Sequence, residues 1–323
     1  MPLRLLLTLI LLASFAAATS APAAEAVPRL LAGLERHAAE AIGCRIWRNE
    51  AAGRRDWLVH WLPGEDHLSL GIGHFIWYPE GRRGPFLESF PEMLAFLERS
   101  GVAMPAWLDR NTPSPWPDRA AFLAAHGDPR LEDLRAFLVR TVAAQTAFMA
   151  DRLARAVPAM LEVAPQPAEI ARHLDWLLRD DAGRLRPKGV YALIDYVNFK
   201  GEGTDPGEKY NGTGWGLLQV LEAMSSDHDD PEAAFAAAAA EVLARRTRLA
   251  PPERQEERWL DGWLTRIGTY RTFELPPRPA AGLRRRPAAE PATQRDRRGP
   301  GAPWRASAPA CAPAARAAGT GRS

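Results

Sequence analysis

Cysteine is nearly absent from the sequence, which contains only Cys44 and Cys311 in 323 residues. Small exported domains that depend on several disulfides are rich in cysteine, so a disulfide framework of that kind is excluded. Cys44 falls within a predicted helix and Cys311 close to the end of the chain. We therefore expect Cys44 to be a small, buried apolar residue.

The sequence has no apolar run long enough to favour a membrane span. Residues 5–13 are apolar, follow a single arginine and lead into a stretch of small residues. This order is typical of a secretory signal peptide, and a transmembrane helix needs about 20 apolar residues. We predict a signal peptide over residues 1–24 and a secreted or periplasmic protein; an uncleaved anchor is the alternative. No cysteine lies near the expected cleavage point, which argues against a lipid anchor.

Large apolar residues are scarce in residues 278–323. This segment contains ten arginines and only two acidic residues, Glu290 and Asp296, so its net charge is +8. Such a composition buries too little apolar surface to offset the entropy of ordering the chain. We predict a disordered basic tail that either contacts an anionic cell-envelope surface or has no binding role. Residues 25–277 remain, enough for one large domain.

Strand signals are also few, being confined to residues 57–61 and 68–78. Helical spacing of apolar residues dominates elsewhere, and Gly53 is a plausible stop for the first helix. Residues 105–117 contain four prolines, which predicts an irregular loop. We predict a mainly α fold with a small β or irregular lobe. The predicted helices cover residues 30–46, 131–149, 168–178, 190–196, 216–224, 233–249 and 256–270.

Several reaction motifs are missing. No G-x-S-x-G elbow surrounds Ser69, and no phosphate-binding loop or zinc-finger spacing occurs. We therefore expect no nucleophilic triad, no bound cofactor and no nucleic-acid partner.

A pair of acidic positions does favour one chemistry. Glu50 follows the first predicted helix near its C-terminal end, where the helix dipole and the neighbouring Ile46 and Trp47 disfavour a negative charge, as suits a general acid. Glu65 and Asp66 follow in a polar turn and should remain ionised. Two carboxyls with different environments are the requirement for cleaving a glycosidic bond.

The same region resembles the phage-type lysozymes, whose motif runs from an acid at a helix end through a second acid and a threonine to G-x-G-H. Gly71, Gly73 and His74 match that motif, Ser69 falls on its threonine and Glu50 on its catalytic acid. Either Glu65 or Asp66 can stand for the second acid, and Glu65 is nearer to the family position. The family implies that Ser69 helps to hold a water for inverting cleavage, with the two carboxyls about 6.5–9.5 Å apart. We expect His74 to anchor the lobe by an ion pair or hydrogen bond.

A second stretch, residues 191–203, is similar to the later helix and turn of that family, which forms the opposite wall of its cleft. The resemblance implies that Asn198 contacts substrate and that Gln219 lies near the cleft. It also implies a lysozyme-like domain over residues 25–277, with a helical insertion at about 80–185. The expected partner is peptidoglycan or a related amino-sugar polymer, with either hydrolysis or an anhydro product.

Two alternatives stay open. A protein that binds peptidoglycan in a lysozyme-like cleft without cleaving it would also explain these motifs. His60, His67 and His74 recur every seven residues, which suggests a metal-dependent hydrolase, although the glycines and proline between them interrupt any helix.

Overall fold

The computed structural model describes residues 33–225, 229–278 and 311. The predicted signal peptide, Leu30 and Leu31 of the first predicted helix and nearly all of the predicted basic tail lie outside these residues. The described part is mainly α with a small antiparallel sheet, as predicted. None of its helices is both long and apolar enough to cross a membrane.

The first part of the chain contains one long helix and a small sheet lobe. These elements are helix α1 (Arg36–Ala51), a 3₁₀ turn (Asp56–Leu58), and strands β1 (Val59–His60), β2 (Leu68–Leu70) and β3 (Phe75–Trp77). The strands form one antiparallel sheet in the order β1-β2-β3, in which Leu70 faces both Val59 and Phe75. The Gly-Ile-Gly-His segment is therefore the hairpin that joins β2 to β3.

The middle of the chain is helical. It contains α2 (Phe90–Arg99), α3 (Arg119–Ala124), α4 (Pro129–Arg140), α5 (Val142–Val163) and α6 (Pro167–Leu178). The helix predicted over residues 131–149 is instead two helices that meet at Thr141, and this prediction was wrong. The Thr141 hydroxyl donates to the Phe137 carbonyl and accepts from the Gln145 amide, so the Thr141 side chain stabilises the junction between α4 and α5.

The last part supplies α7 (Pro187–Lys200), a two-stranded ribbon of β4 (Lys209–Tyr210) and β5 (Thr213–Gly214), α8 (Leu217–Ala223), α9 (Pro231–Leu249), a 3₁₀ turn (Pro252–Arg254) and α10 (Glu257–Thr272). Proline in the first turn starts several of these helices, where its missing N–H costs nothing. At α9, Asp230 also accepts from the N–H groups of Glu232 and Ala233.

One hydrophobic core joins these elements. Helix α5 packs against α1 and α7, and α10 packs against α9 and α7. Side chains from the sheet lobe, the middle helices and the last helix share this core, and the largest fully buried ones include Trp47, Trp77, Phe137, Phe148, Tyr191, Phe235 and Tyr270. Residues 80–185 are thus integral to the packing; their origin as an insertion stays a prediction.

Cys44 forms a disulfide with Cys311, 267 residues away, with the two Cα atoms 5.4 Å apart. The expectation that Cys44 is simply a buried apolar residue was wrong. The sequence could not reveal this bond, since only folding brings the two residues together. The disulfide ties one point of the C-terminal segment to α1.

Candidate functional site

Glu50 lies in the last turn of α1, and its side chain is 12% exposed. The helix ends there because Ala52 and Gly53 both adopt left-handed backbone angles, with φ of 52° and 71°. This termination places Glu50 where α1 meets the sheet lobe and the C-terminal helices.

Three groups surround the Glu50 carboxylate. Asn198 on α7 donates its amide N–H to Oε1 at 3.1 Å, and Arg266 on α10 donates to the same oxygen at 2.5 Å. His74 brings its Nδ1 to 3.6 Å from Oε2. Residues that are 148 and 216 positions away along the chain therefore meet on one side chain.

Arg266 owes its position mainly to Asp195, which is fully buried on α7. The guanidinium donates through Nε to Oδ2 at 2.8 Å and through Nη2 to Oδ1 at 2.9 Å, a two-pronged ion pair. Tyr270 and Asn49 also donate to the Asp195 carboxylate, at 2.8 and 3.0 Å. Burial lowers the pKa of Arg266, but the charges of Asp195 and Glu50 outweigh it, and the pKa is raised.

The β2–β3 hairpin is shaped by its glycines. Gly71 has φ of 68°, and a side chain there would collide with the Gln145 amide, which accepts from the N–H of Ile72 at 3.0 Å. A side chain on Gly73 would meet the Phe75 ring and come within 3.1 Å of the Asn198 amide oxygen. The first glycine thus fits the turn against α5, and the second brings it close to α7.

His74 follows in a left-handed conformation, with φ of 51°, which is uncommon for a residue other than glycine. Burial lowers its pKa below the usual histidine value, as it does for His60, so both rings are neutral near pH 7. The two rings pack edge to face, 4.7 Å apart. His60 bonds through Nδ1 to the carbonyl of Trp57, and the buried Nε2 of His74 has no hydrogen-bond partner within the described part of the chain.

Asn198 and His74 also line an open cleft of about 730 Å³ between the sheet lobe and the α7 region. The cleft is lined by Gly73, His74, Ile76, Phe86, Leu87, Ser89, Met149, Arg152, Ile194, Val197, Asn198, Phe199, Lys200, Gly201, Glu202, Thr204, Asp205, Glu208, Trp215, Arg246 and Arg254. Burial raises the pKa of Glu202 and Glu208, and the negative charges of Asp205 and Glu202 raise that of Glu208 further. The cleft therefore combines aromatic faces, cations and two carboxyls that hold protons more tightly than usual.

The residues predicted from the sequence divide into two groups. Gly73, His74 and Asn198 line the cleft, and Glu50, which is not itself a lining residue, contacts His74 and Asn198 from behind them. The remaining five, none of which lines it, are Glu65, Asp66, Ser69, Gly71 and Gln219.

The candidate second acids lie in the turn between β1 and β2. Asp66 is exposed, and the Glu65 carboxylate lies 3.7 Å from the Nε2 of His67. The charges of Glu65 and Glu50 both oppose the lowering of the His60 pKa by burial. Ser69 is buried in β2, opposite His60 and Ile76.

The Gln219 side chain forms hydrogen bonds with backbone groups beside the cleft. Its side chain accepts from the Gly216 N–H at 2.9 Å and donates to the Gly203 carbonyl at 3.1 Å. It thereby holds the turn after α7 against the start of α8.

Sequence reasoning missed Asp195, Arg266, Lys200, Glu202 and Glu208. Asp195 carried a usable signal, because an acid within the apolar run of α7 requires a buried partner. Arg266 carried none, since nothing in its local sequence distinguishes it from other helix arginines.

In the part of the chain that the structure describes, no group of three or more histidine, cysteine or acidic side chains is arranged to hold a metal ion. The sequence matches no family model, and neither a curated protein nor a solved structure is significantly similar to it.

Proposed function

We propose that this protein is an exported glycoside hydrolase that cleaves β-1,4 bonds of peptidoglycan or a related amino-sugar polymer, with Glu50 as the general acid. The observation that carries the proposal is the contact of Glu50 with His74 and Asn198, two residues that line one cleft. These residues come from the two separate stretches that resemble phage-type lysozymes.

The hydrogen bonds around Glu50 leave one of its carboxylate oxygens free. Arg266, which is also bound to Asp195 by two hydrogen bonds, and Asn198 both donate to Oε1 of Glu50. The Glu50 oxygen facing His74 is the one not engaged by Arg266 or Asn198, so it is the oxygen available to carry and deliver a proton.

The cleft suits a polar glycan. It is open rather than enclosed, as an internal segment of a polymer requires, and the exposed Phe86 offers an aromatic face to a sugar ring. Arg152 offers donors to carboxylates and amides of the polymer, whereas Arg246 and Arg254 are already paired with Glu256.

Two groups of residues are candidates for the second catalytic carboxyl. Glu65 is the acid favoured by the lysozyme-like motif, with Asp66 as its neighbour, whereas Glu202, Asp205 and Glu208 are the acids that line the cleft. Single amide replacements of each residue distinguish them, because the partner acid alone should cost about two orders of magnitude or more in turnover.

A non-catalytic peptidoglycan-binding function is the second candidate. It is favoured by the engagement of Glu50 with Arg266 and by the absence of Glu65 and Asp66 from the cleft lining. In that case the cleft would hold the polymer without turnover.

The deciding experiment measures release of soluble fragments from purified peptidoglycan by the wild type, Glu50→Gln and the matched control Glu98→Gln. Glu98 is an exposed carboxylate on α2 and is not one of the residues that line the cleft. We expect Glu50→Gln to lose about a hundredfold or more while Glu98→Gln keeps the wild-type rate. A Glu50→Gln enzyme with half the wild-type rate would exclude the general-acid assignment, and pull-down of the polymer without fragment release would favour the binding function.

A further inference from the structure

Lys200 is the last residue of α7 and lines the cleft, although only 9% of it is exposed. Its Nζ lies 3.4 Å from the centre of the Trp263 ring and 4.0 Å from that of Phe199. Within the described residues, the amine makes no hydrogen bond and no ion pair with a carboxylate. The amine is therefore held by aromatic faces alone.

The choice of lysine here is unusual for this chain. Its lysines are Lys188, Lys200 and Lys209, and every other basic residue apart from histidine is an arginine. Arginine stays protonated in proteins, whereas a buried lysine can lose its proton and expose a lone pair. A lysine at position 200 thus provides chemistry that arginine cannot.

Burial and neighbouring cations favour the neutral form of the Lys200 amine, whereas the Trp263 and Phe199 rings favour its protonated form. Burial is the main cause, the charges of Arg246 and Arg266 act in the same direction, and those of Glu256 and Glu50 oppose them; together they lower the pKa of Lys200 to about 6. Desolvation in an apolar pocket next to other cations is the arrangement that activates lysines as nucleophiles.

We propose that Lys200 is a nucleophilic amine that condenses with the carbonyl carbon of a small aldehyde or ketone, such as an open-chain reducing sugar, entering the cleft. The nitrogen lone pair attacks the carbonyl carbon and gives a carbinolamine. The carbinolamine then loses its oxygen as water, leaving a C=N bond to Nζ. No oxidant or reductant takes part.

The cleft also supplies a proton for the departing oxygen. Glu202 and Glu208 line the same cleft, and burial raises the pKa of both carboxyls. A protonated carboxyl can therefore act as the acid that assists the loss of water. This activity is separate from glycan cleavage and does not require Glu50 as a proton donor.

The test is reductive trapping of the folded, full-length protein with glycolaldehyde and sodium cyanoborohydride at pH 7, followed by digestion and mass spectrometry of each lysine. At pH 7 a lysine with a pKa of about 6 is roughly nine-tenths neutral, compared with about one in 2,500 for an ordinary lysine. We expect Lys200 to be modified about tenfold faster than Lys188 or Lys209. Raising the pH to 8 should reduce that rate ratio about tenfold, because only the ordinary lysines gain neutral amine.

Lys200→Arg should remove the fast modification, and the matched control Lys209→Arg should leave it unchanged. Equal or slower labelling of Lys200 in the folded wild type at pH 7 would overturn the proposal, as would fast labelling that occurs only in denaturant. These outcomes need no variant, so they hold even if Lys200→Arg fails to fold. Because labelling is measured without peptidoglycan, absence of glycan cleavage would leave this result unaffected.

Discussion

Replacing Arg266 with glutamine should destabilise the protein more than replacement of any exposed arginine. The side chain is 11% exposed and forms two hydrogen bonds to a fully buried Asp195 and one to Glu50. Its removal leaves the Asp195 charge with only the neutral donors Tyr270 and Asn49. Breaking a buried ion pair in this way costs about 3–5 kcal/mol of the free energy of unfolding. For a domain of this size, that corresponds to a melting temperature lower by roughly 6–20 °C.

The effects of replacing Arg266 and Asp195 on the free energy of unfolding should also be non-additive. In Arg266→Gln combined with Asp195→Asn, the fully buried Asp195 charge is gone together with its partner, so the double variant should regain about 1–3 kcal/mol relative to the sum of the single changes. Urea unfolding followed by tryptophan fluorescence gives all four free energies, since the chain has 11 tryptophans. Arg271→Gln, at an exposed site on the same helix, is the control and should change stability by less than about 0.5 kcal/mol. A loss below about 1 kcal/mol for Arg266→Gln, or strict additivity in the double variant, would refute the buried-pair account.

Three further outcomes follow from other parts of the molecule. Gly71→Ala should lower the free energy of unfolding by about 2 kcal/mol or more, because the new Cβ would lie 2.3 Å from the Gln145 amide oxygen. Gly81 has a similar φ but open space around it, so the control Gly81→Ala should lower that free energy by only about 1 kcal/mol. Chemical denaturation measures both values. Lys200→Met should raise the free energy of unfolding at pH 7 by more than about 1 kcal/mol. The pKa of Lys200 is about 6 in the folded protein and 10.5 in the unfolded chain. Lys200 should therefore make the wild type, but not Lys200→Met, more stable as the pH rises from 6 to 10.5. Equal pH dependence of the free energy of unfolding in the two proteins would contradict this. Cys44→Ser should lower stability by about 2–4 kcal/mol, a loss that reductant reproduces in the wild type but not in the variant.

Helical periodicity predicted most of the helices because apolar residues at 3.6-residue spacing have to face a common core. It failed at Thr141, where apolar spacing continues across a join made by side-chain hydrogen bonds. The Gly-Ile-Gly-His hairpin was foreseeable in the same local way, since Gly71 requires a positive φ.

The candidate site was only half foreseeable. Glu50, His74 and Asn198 belong to short stretches with a recognisable pattern, and the structure brings them together. The partners that fix Glu50 come from long-range packing that leaves no local trace: Arg266 lies 216 residues further along the chain. The cleft acids Glu202 and Glu208 follow a motif that drew attention to its asparagine rather than to its carboxyls.

The distance along the chain between Glu50 and Arg266 also has a consequence for synthesis. The ribosome completes α1 and α7 well before α10 emerges, so Asp195 cannot pair with Arg266 until α10 is made. A nascent chain that stops before Glu257 would have to leave this carboxylate in water or bury it unpaired, and the second option is costly. The Glu50 cluster is therefore completed only when α10 docks.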